Sequence, residues 1–216
     1  MGIWSKIDGD RLELGGPVTA PGPGGWSLMR RPDGIAWLVL DAPGLSTNRI
    51  DAETLAALND ILAGLEAEPP KGLVLRSAKR SGFMVGADIA QFRGVNDADL
   101  MAMELAKLHA VFDRLEALPF PTVAVVHGHT LGGGLELALA CRYRVALSSA
   151  QLGFPEVQLG LHPGLGGPPA GRVQPGLTHD EPGVLQPPLA FKTADDSLKS
   201  LRLRGIGREH LREQLE

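Results

Sequence analysis

Three short runs of almost wholly apolar residues, Ile35–Leu40 (IAWLVL), Gly72–Arg76 (GLVLR) and Thr122–Val126 (TVAVV), recur along the chain with a helix-patterned segment between each pair. A strand that is apolar on both faces must be covered on both faces. That excludes a half-solvated antiparallel sheet and points to a parallel sheet under helices. The intervening segments fit. Ala52–Glu66 places Leu55, Leu58, Ile61, Leu62 and Leu65 on one face, with Asp51 positioned as N-cap and Pro69-Pro70 as the stop. A second helical pattern runs from Asp97 to Leu118 and ends at Pro119 and Pro121. A glycine run, Gly132-Gly133-Gly134, then opens a strongly apolar helix, Leu135–Ala140. The expected fold class is α/β, and ligand sites in such sheets lie beyond the C-terminal strand ends, where the glycine loops fall.

The flanks differ in character. Residues 1–30 are rich in Gly and Pro and read as a loose leader. Pro168–Pro188 is dense in Pro and Gly and supports neither helix nor strand, and a basic helical stretch from about Asp195 to Leu215 closes the chain. The expected division is therefore 1–30, a core at 31–167, and a divergent segment at 168–216.

Composition narrows the function. With 216 residues, 44% of them hydrophobic, the chain suffices for one core. A net charge of −4 argues against nucleic acid as partner. The single cysteine, Cys141, leaves no intramolecular disulfide; within the apolar run Leu137–Cys141 it reads as a buried structural thiol. No apolar stretch approaches the ~20 residues that span a bilayer, and the N-terminus lacks an apolar secretory region. The expectation is a soluble, cytoplasmic protein.

Two glycine segments carry the chemistry. Ser81–Phe92 (SGFMVGADIAQF) is a small-residue loop just past a strand, which lets a ligand carbonyl approach the backbone closely. His127–Glu136 sets three glycines at a helix start, where free N–H groups point outward. One N–H from each loop could hold an oxyanion. The plain alternative for the triple glycine is close helix–strand packing. Glu136 lies in the first turn of the apolar helix, and Glu156 follows twenty residues on, in FPEVQLG. Burial disfavours carboxylate ionisation and two nearby carboxylates resist ionising together, so such a pair supplies one acid and one base. Taken singly, Glu136 is also readable as an N-terminal helix glutamate and Glu156 as an ordinary loop carboxylate. His127 and His129 lie near the glycines without a matching metal partner and read as structural. GxGxxG, GxxxxGK and GxSxG patterns are absent.

The segment LGGGLELALACRYRVALSSAQLGFPEVQLGLHPGLGG resembles the signature of the crotonase (enoyl-CoA hydratase/isomerase) superfamily, and SGFMVGADIAQF resembles that family's other oxyanion loop. From Asp33 to Gly167, including DGIAWLVLDAP, GLVLRSAK and FDRLEALPFPTVAVVHG, the chain is similar to the hydratase half of the bacterial fatty-acid-oxidation α-subunit. The resemblance implies a β/α spiral core and, as substrate, an acyl-CoA thioester whose coenzyme A is no separate cofactor. It implies that the N–H groups of Ala87 and Gly133 bind the thioester oxygen, while Glu136 and Glu156 handle water and proton, with their division of labour left open. No metal is implied. Coenzyme A would thread past Met84, Gly86, Ala87, Asp88 and Ile89, with Asp88 an acceptor that fixes the loop. Lys79 and Arg80 stand as phosphate contacts or, alternatively, as a solvated basic pair. The family forms homo-oligomers, often trimers.

The resemblance stops after Gly166-Gly167, where the family continues Gly-Gly-Thr-x-Arg-Leu and this chain reads Pro-Pro-Ala-Gly-Arg-Val. The expectation is a frameshifted or truncated C-terminal part, tested by reading the gene after the Gly167 codon in the other two frames. The functional expectation is hydration of 2-enoyl-CoA. The alternatives are 3-enoyl to 2-enoyl-CoA isomerisation and an inactive acyl-CoA-binding fragment.

Overall fold

The computed structural model describes residues 20–86, 98–147 and 150–155, and five short strand segments at 7–8, 11–12, 179–181, 184–185 and 192–193. In chain order the strands are β1 (Ile7–Asp8), β2 (Arg11–Leu12), β3 (Trp26–Arg30), β4 (Ile35–Leu40), β5 (Gly72–Ser77), β6 (Gly82–Met84), β7 (Thr122–Val126), β8 (His129–Leu131), β9 (Tyr143–Ala146), β10 (Gln151–Gly153), β11 (His179–Glu181), β12 (Val184–Leu185) and β13 (Lys192–Thr193). The helices are α1 (Ala52–Ala67), α2 (Ala98–Ala117) and α3 (Gly133–Ala140).

The main sheet has the order β13-β9-β7-β5-β4-β3, parallel throughout except for the antiparallel β3–β4 pair. A smaller parallel sheet, β10-β8-β6, stands beside it. The three apolar runs occupy adjacent central positions, and every residue of β4, β5 and β7 is buried. Both sheet faces are covered, as the apolar runs require. The chain is a mixed α/β fold with mostly parallel sheets.

Helix α1 forms where the leucine spacing places it. Asp51 caps it, its carboxylate accepting from the Thr54 N–H at 2.8 Å, and Leu55, Leu58, Leu62 and Leu65 are buried beneath it. Helix α2 packs alongside through Leu108, Val111, Phe112 and Leu115, all in the shared core. On the rim, Arg114 clasps Glu66 at 2.8 and 2.6 Å and reaches the Asn59 side chain at 2.9 Å, tying α2 to α1. The guanidinium of Arg142 donates to Leu118 O, and that of Arg144 to Cys141 O and Leu139 O, so cations meet the C-terminal carbonyls of α2 and α3. Cys141 is buried, and burial pushes its thiol up to about 12, which keeps it protonated and inert. Among the described residues no helix is long and apolar enough to cross a membrane.

The structure departs from the sequence reading at both flanks. Trp26–Arg30 is not leader but the edge strand of the main sheet, in register from Trp26↔Leu40 to Arg30↔Ala36. Trp26 is buried, its indole N–H donating to Thr54 O at 2.8 Å. The partner strand and the helix, not local propensity, decide this segment, so its Gly-Pro neighbours concealed it. Within the Pro/Gly-rich part, His179–Glu181 pairs with Val184–Leu185, and Lys192–Thr193 adds to β9. Strands of two or three residues are too short for periodicity to register. The basic helical stretch near residues 195–215 lies outside the described residues.

Candidate active site

The strand-to-helix passage is less direct than its sequence suggests. After β7 the chain turns at His127-Gly128, forms β8, and only then reaches the glycines. Gly132 adopts φ 52°, a left-handed conformation open to glycine, and its N–H donates to Gly153 O at 2.9 Å, locking the turn to β10. The N-cap position of α3 is Gly132, which has no side chain to cap it. Gly133 is the helix's first residue, so its N–H has no partner within the helix. Gly134 does something else. A Cβ there would lie 2.5 Å from Met84 O and 2.7 Å from Met84 Cβ, so only glycine lets α3 approach β6 this closely. The close-packing reading thus belongs to Gly134, while Gly133 supplies the first N–H of the helix.

That approach brings the second glycine loop alongside. A side-chain carbon at Gly86 would lie 3.9 Å from the Gly133 nitrogen. Gly86 itself has φ 99°, and its carbonyl accepts from the Ile50 N–H at 2.9 Å, while Val85 N–H donates to Asn48 O at 3.0 Å. The run through Met84 to Gly86 is therefore laid against residues 48–50. One turn into α3, Glu136 is 3% exposed among Leu135, Leu137 and Ala138, which are equally buried. Its backbone N–H donates to Gly132 O. A carboxylate in the first turn lies near the positive end of the helix dipole.

Around these groups stands a polar framework. His127, 1% exposed, sets its Nε2 2.7 Å from Lys79 O; a carbonyl only accepts, so Nε2 carries the proton. Nδ1 is buried and has no hydrogen-bond partner among the described residues. Burial, and then the nearby Arg76 charge, push the imidazole below its ordinary value of 6.5. The unfolded chain therefore binds more protons in the window below pH 6.5, and His127's contribution to stability is complete above 6.5 and lost as pH falls through the lowered value. His127→Gln, which retains a donor toward Lys79 O, is expected to flatten that part of the stability–pH curve in urea titrations. An unchanged slope would remove His127 as its source.

Lys79 is committed inward. Its ammonium lies 2.7 Å from Asp41 Oδ1 and 2.7 Å from Ala42 O, and its side chain is 14% exposed. This geometry spends the charge on Asp41, whereas Arg80 is exposed. Ala87, Asp88, Ile89 and Glu156 lie outside the described residues. The structure sets Met84 against Gly134 and Gly86 beside Gly133, with Glu136 one turn further along α3. It adds Asp41 and Asn48, both buried polar residues in the β4–α1 loop region that the sequence reading did not single out. Their only sequence signal was a polar side chain in an otherwise ordinary loop.

A mostly parallel α/β core, with a glycine turn opening a helix that buries a glutamate and a second glycine loop beside that turn, is the arrangement a crotonase-type protein calls for. The chain belongs to the enoyl-CoA hydratase/isomerase family, whose sequence profile matches residues 30–172. It is 46% identical over 145 residues to the fatty acid oxidation complex subunit alpha of Shewanella sp. (strain W3-18-1), and 47% over 145 residues to that of Shewanella amazonensis. These matches cover 66% of this chain but 20% of each relative, so the chain spans about a fifth of the length of the curated relatives it matches. Among solved structures it resembles the enoyl-CoA hydratase of Bacillus anthracis, at TM-score 0.60 and 29% identity, covering 66% of this chain and 55% of that one. It resembles the enoyl-CoA hydratase of Thermoplasma volcanium at TM-score 0.59 and 31% identity, with 65% and 55% covered. The family acts on acyl-CoA substrates.

Proposed function

We propose that the chain hydrates the 2,3-double bond of enoyl-CoA thioesters, as a cytoplasmic enzyme of fatty-acid β-oxidation. One observation carries the reading: the Gly86 loop stands beside the Gly133 nitrogen at the start of α3, and Glu136 is buried one turn further along that helix. In this reaction the Gly133 and Ala87 N–H groups hold the thioester oxygen as negative charge develops there. One carboxylate of Glu136 and Glu156 takes a proton from water as its oxygen bonds to C3, and a proton is delivered to C2. Net, one water adds and no electrons are exchanged. The pairing of Glu136 with Glu156 rests on the sequence resemblance; Gly153, three residues earlier in the chain, accepts from the Gly132 N–H. Coenzyme A runs along Met84–Ile89, with exposed Arg80 better placed than Lys79 for its phosphates.

The test is loss of enoyl absorbance when purified protein meets crotonyl-CoA, run beside a 3-enoyl-CoA isomerisation assay and a CoA-ester binding titration. Hydration abolished by both Glu136→Gln and Glu156→Gln supports the reading. Isomerisation without hydration replaces it with the isomerase. Binding without turnover of either substrate leaves an acyl-CoA-binding protein.

A further inference from the structure

Asn48, in the loop between β4 and α1, is 1% exposed and is the polar hub of this end of the sheet. Its Oδ1 accepts from Ala42 N–H at 3.0 Å. Its Nδ2 lies 3.1 Å from Leu40 O, 2.8 Å from Ser77 Oγ and 3.1 Å from Phe83 O, two hydrogens shared among three acceptors. Those acceptors end β4, end β5 and lie within β6. Ser77 Oγ is itself fixed by the Lys79 N–H at 2.9 Å. The Asn48 main chain then takes the next step outward, its carbonyl accepting from Val85 N–H, while Ile50 N–H donates to Gly86 O. One side chain thus anchors the strand ends, and its own backbone carries the loop that stands beside Gly133.

We propose that Asn48 is a positioning residue: it fixes Phe83–Gly86 relative to the Gly133 N–H. The inference rests on the hydration reading above. Its physical basis is that donors aimed at a developing oxyanion act only when preorganised, and a misplacement of about 1 Å costs on the order of 100-fold in rate. A role confined to satisfying buried polar groups would lower stability and leave turnover per folded molecule intact.

The test uses the full chain with Asn48→Asp, Asn48→Ala and Ser77→Ala. Aspartate keeps the shape and the Ala42 contact but faces Leu40 O and Phe83 O with an oxygen. Alanine removes the hub. Ser77→Ala removes one of its acceptors and is the mildest. Two readouts are taken: kcat and KM for crotonyl-CoA hydration, and amide exchange at Val85 relative to Ala124 in β7. For the Asn48 variants kcat is expected to fall about 10- to 100-fold with KM within about threefold, and Val85 exchange to rise about tenfold against Ala124. Ser77→Ala is expected to show a smaller change of the same kind. A kcat within twofold of wild type, or an unchanged exchange ratio, overturns the inference. If wild type does not hydrate crotonyl-CoA, the function reading fails and the exchange ratio alone decides for or against Asn48. If the Asn48 variants do not fold, Ser77→Ala decides by the same two readouts.

Discussion

Glu136→Gln is expected to slow crotonyl-CoA hydration by about 10²–10⁴-fold, the range over which a positioned acid or base contributes. Glutamine matches the buried side chain in size and keeps polar atoms for its neighbours, but it neither accepts nor releases a proton at working pH. Because Glu136 is only 3% exposed and sits in the first turn of α3, the exchange also removes a favourable helix-dipole interaction. That term is about 0.3–1 kcal/mol, small against the kinetic effect. The variant should therefore melt close to wild type and bind substrate with little change, so the loss falls on kcat. A variant retaining more than a tenth of wild-type turnover would show that Glu136 carries no proton in the rate-determining step.

Gly134→Ala is the second large effect, and it acts through packing. The new methyl would stand 2.5 Å from Met84 O, where ordinary contact begins near 3.4 Å, and the opposing atom is backbone. Alanine gains about 1 kcal/mol in helix propensity over glycine. Overpacking against an unyielding neighbour costs about 1–3 kcal/mol or more, so the clash wins. Relief requires α3 and β6 to part by about 1 Å, which separates the Gly133 N–H from the Gly86 loop and is expected to cost on the order of 100-fold in kcat. Gly64→Ala is the matched control. It lies in α1 with nothing within 4 Å of the added carbon, and should stabilise the chain by about 0.5–1 kcal/mol. Urea denaturation and crotonyl-CoA kinetics on both variants check the pair; equal responses at the two positions would refute the close-approach argument.

Much of the fold was legible from local pattern. The leucine spacing of α1, its Asp51 cap and the three apolar strands all depend on periodicity and composition, and each formed where the pattern put it. Edge strand β3 and the short strands β6, β8 and β10 were not legible. Their pairing is set by partners distant in sequence, and neither the three-residue strands nor the mixed WSLMR of β3 is the continuous apolar run that marked β4, β5 and β7. In the site, the glycine run and Glu136 were visible as residue types at a helix start. The division of labour within the run was not, because it depends on Met84 O lying against Gly134 from a segment some fifty residues earlier.

The charged and polar support divides the same way. Lys79 and Arg80 read alike as a basic pair, yet one is held against Asp41 and the other faces solvent. Asn48 reads in sequence like any loop asparagine, yet its amide spans the ends of β4 and β5 and the middle of β6. The sequence by itself determined the α/β class and the covered parallel strands, because those rest on which residues are apolar and how they repeat. Only the tertiary structure decided which glycine packs against β6 and which polar side chains tie the strand ends together. Those outcomes depend on contacts across long sequence separations, where an ångström of backbone approach settles what a residue does.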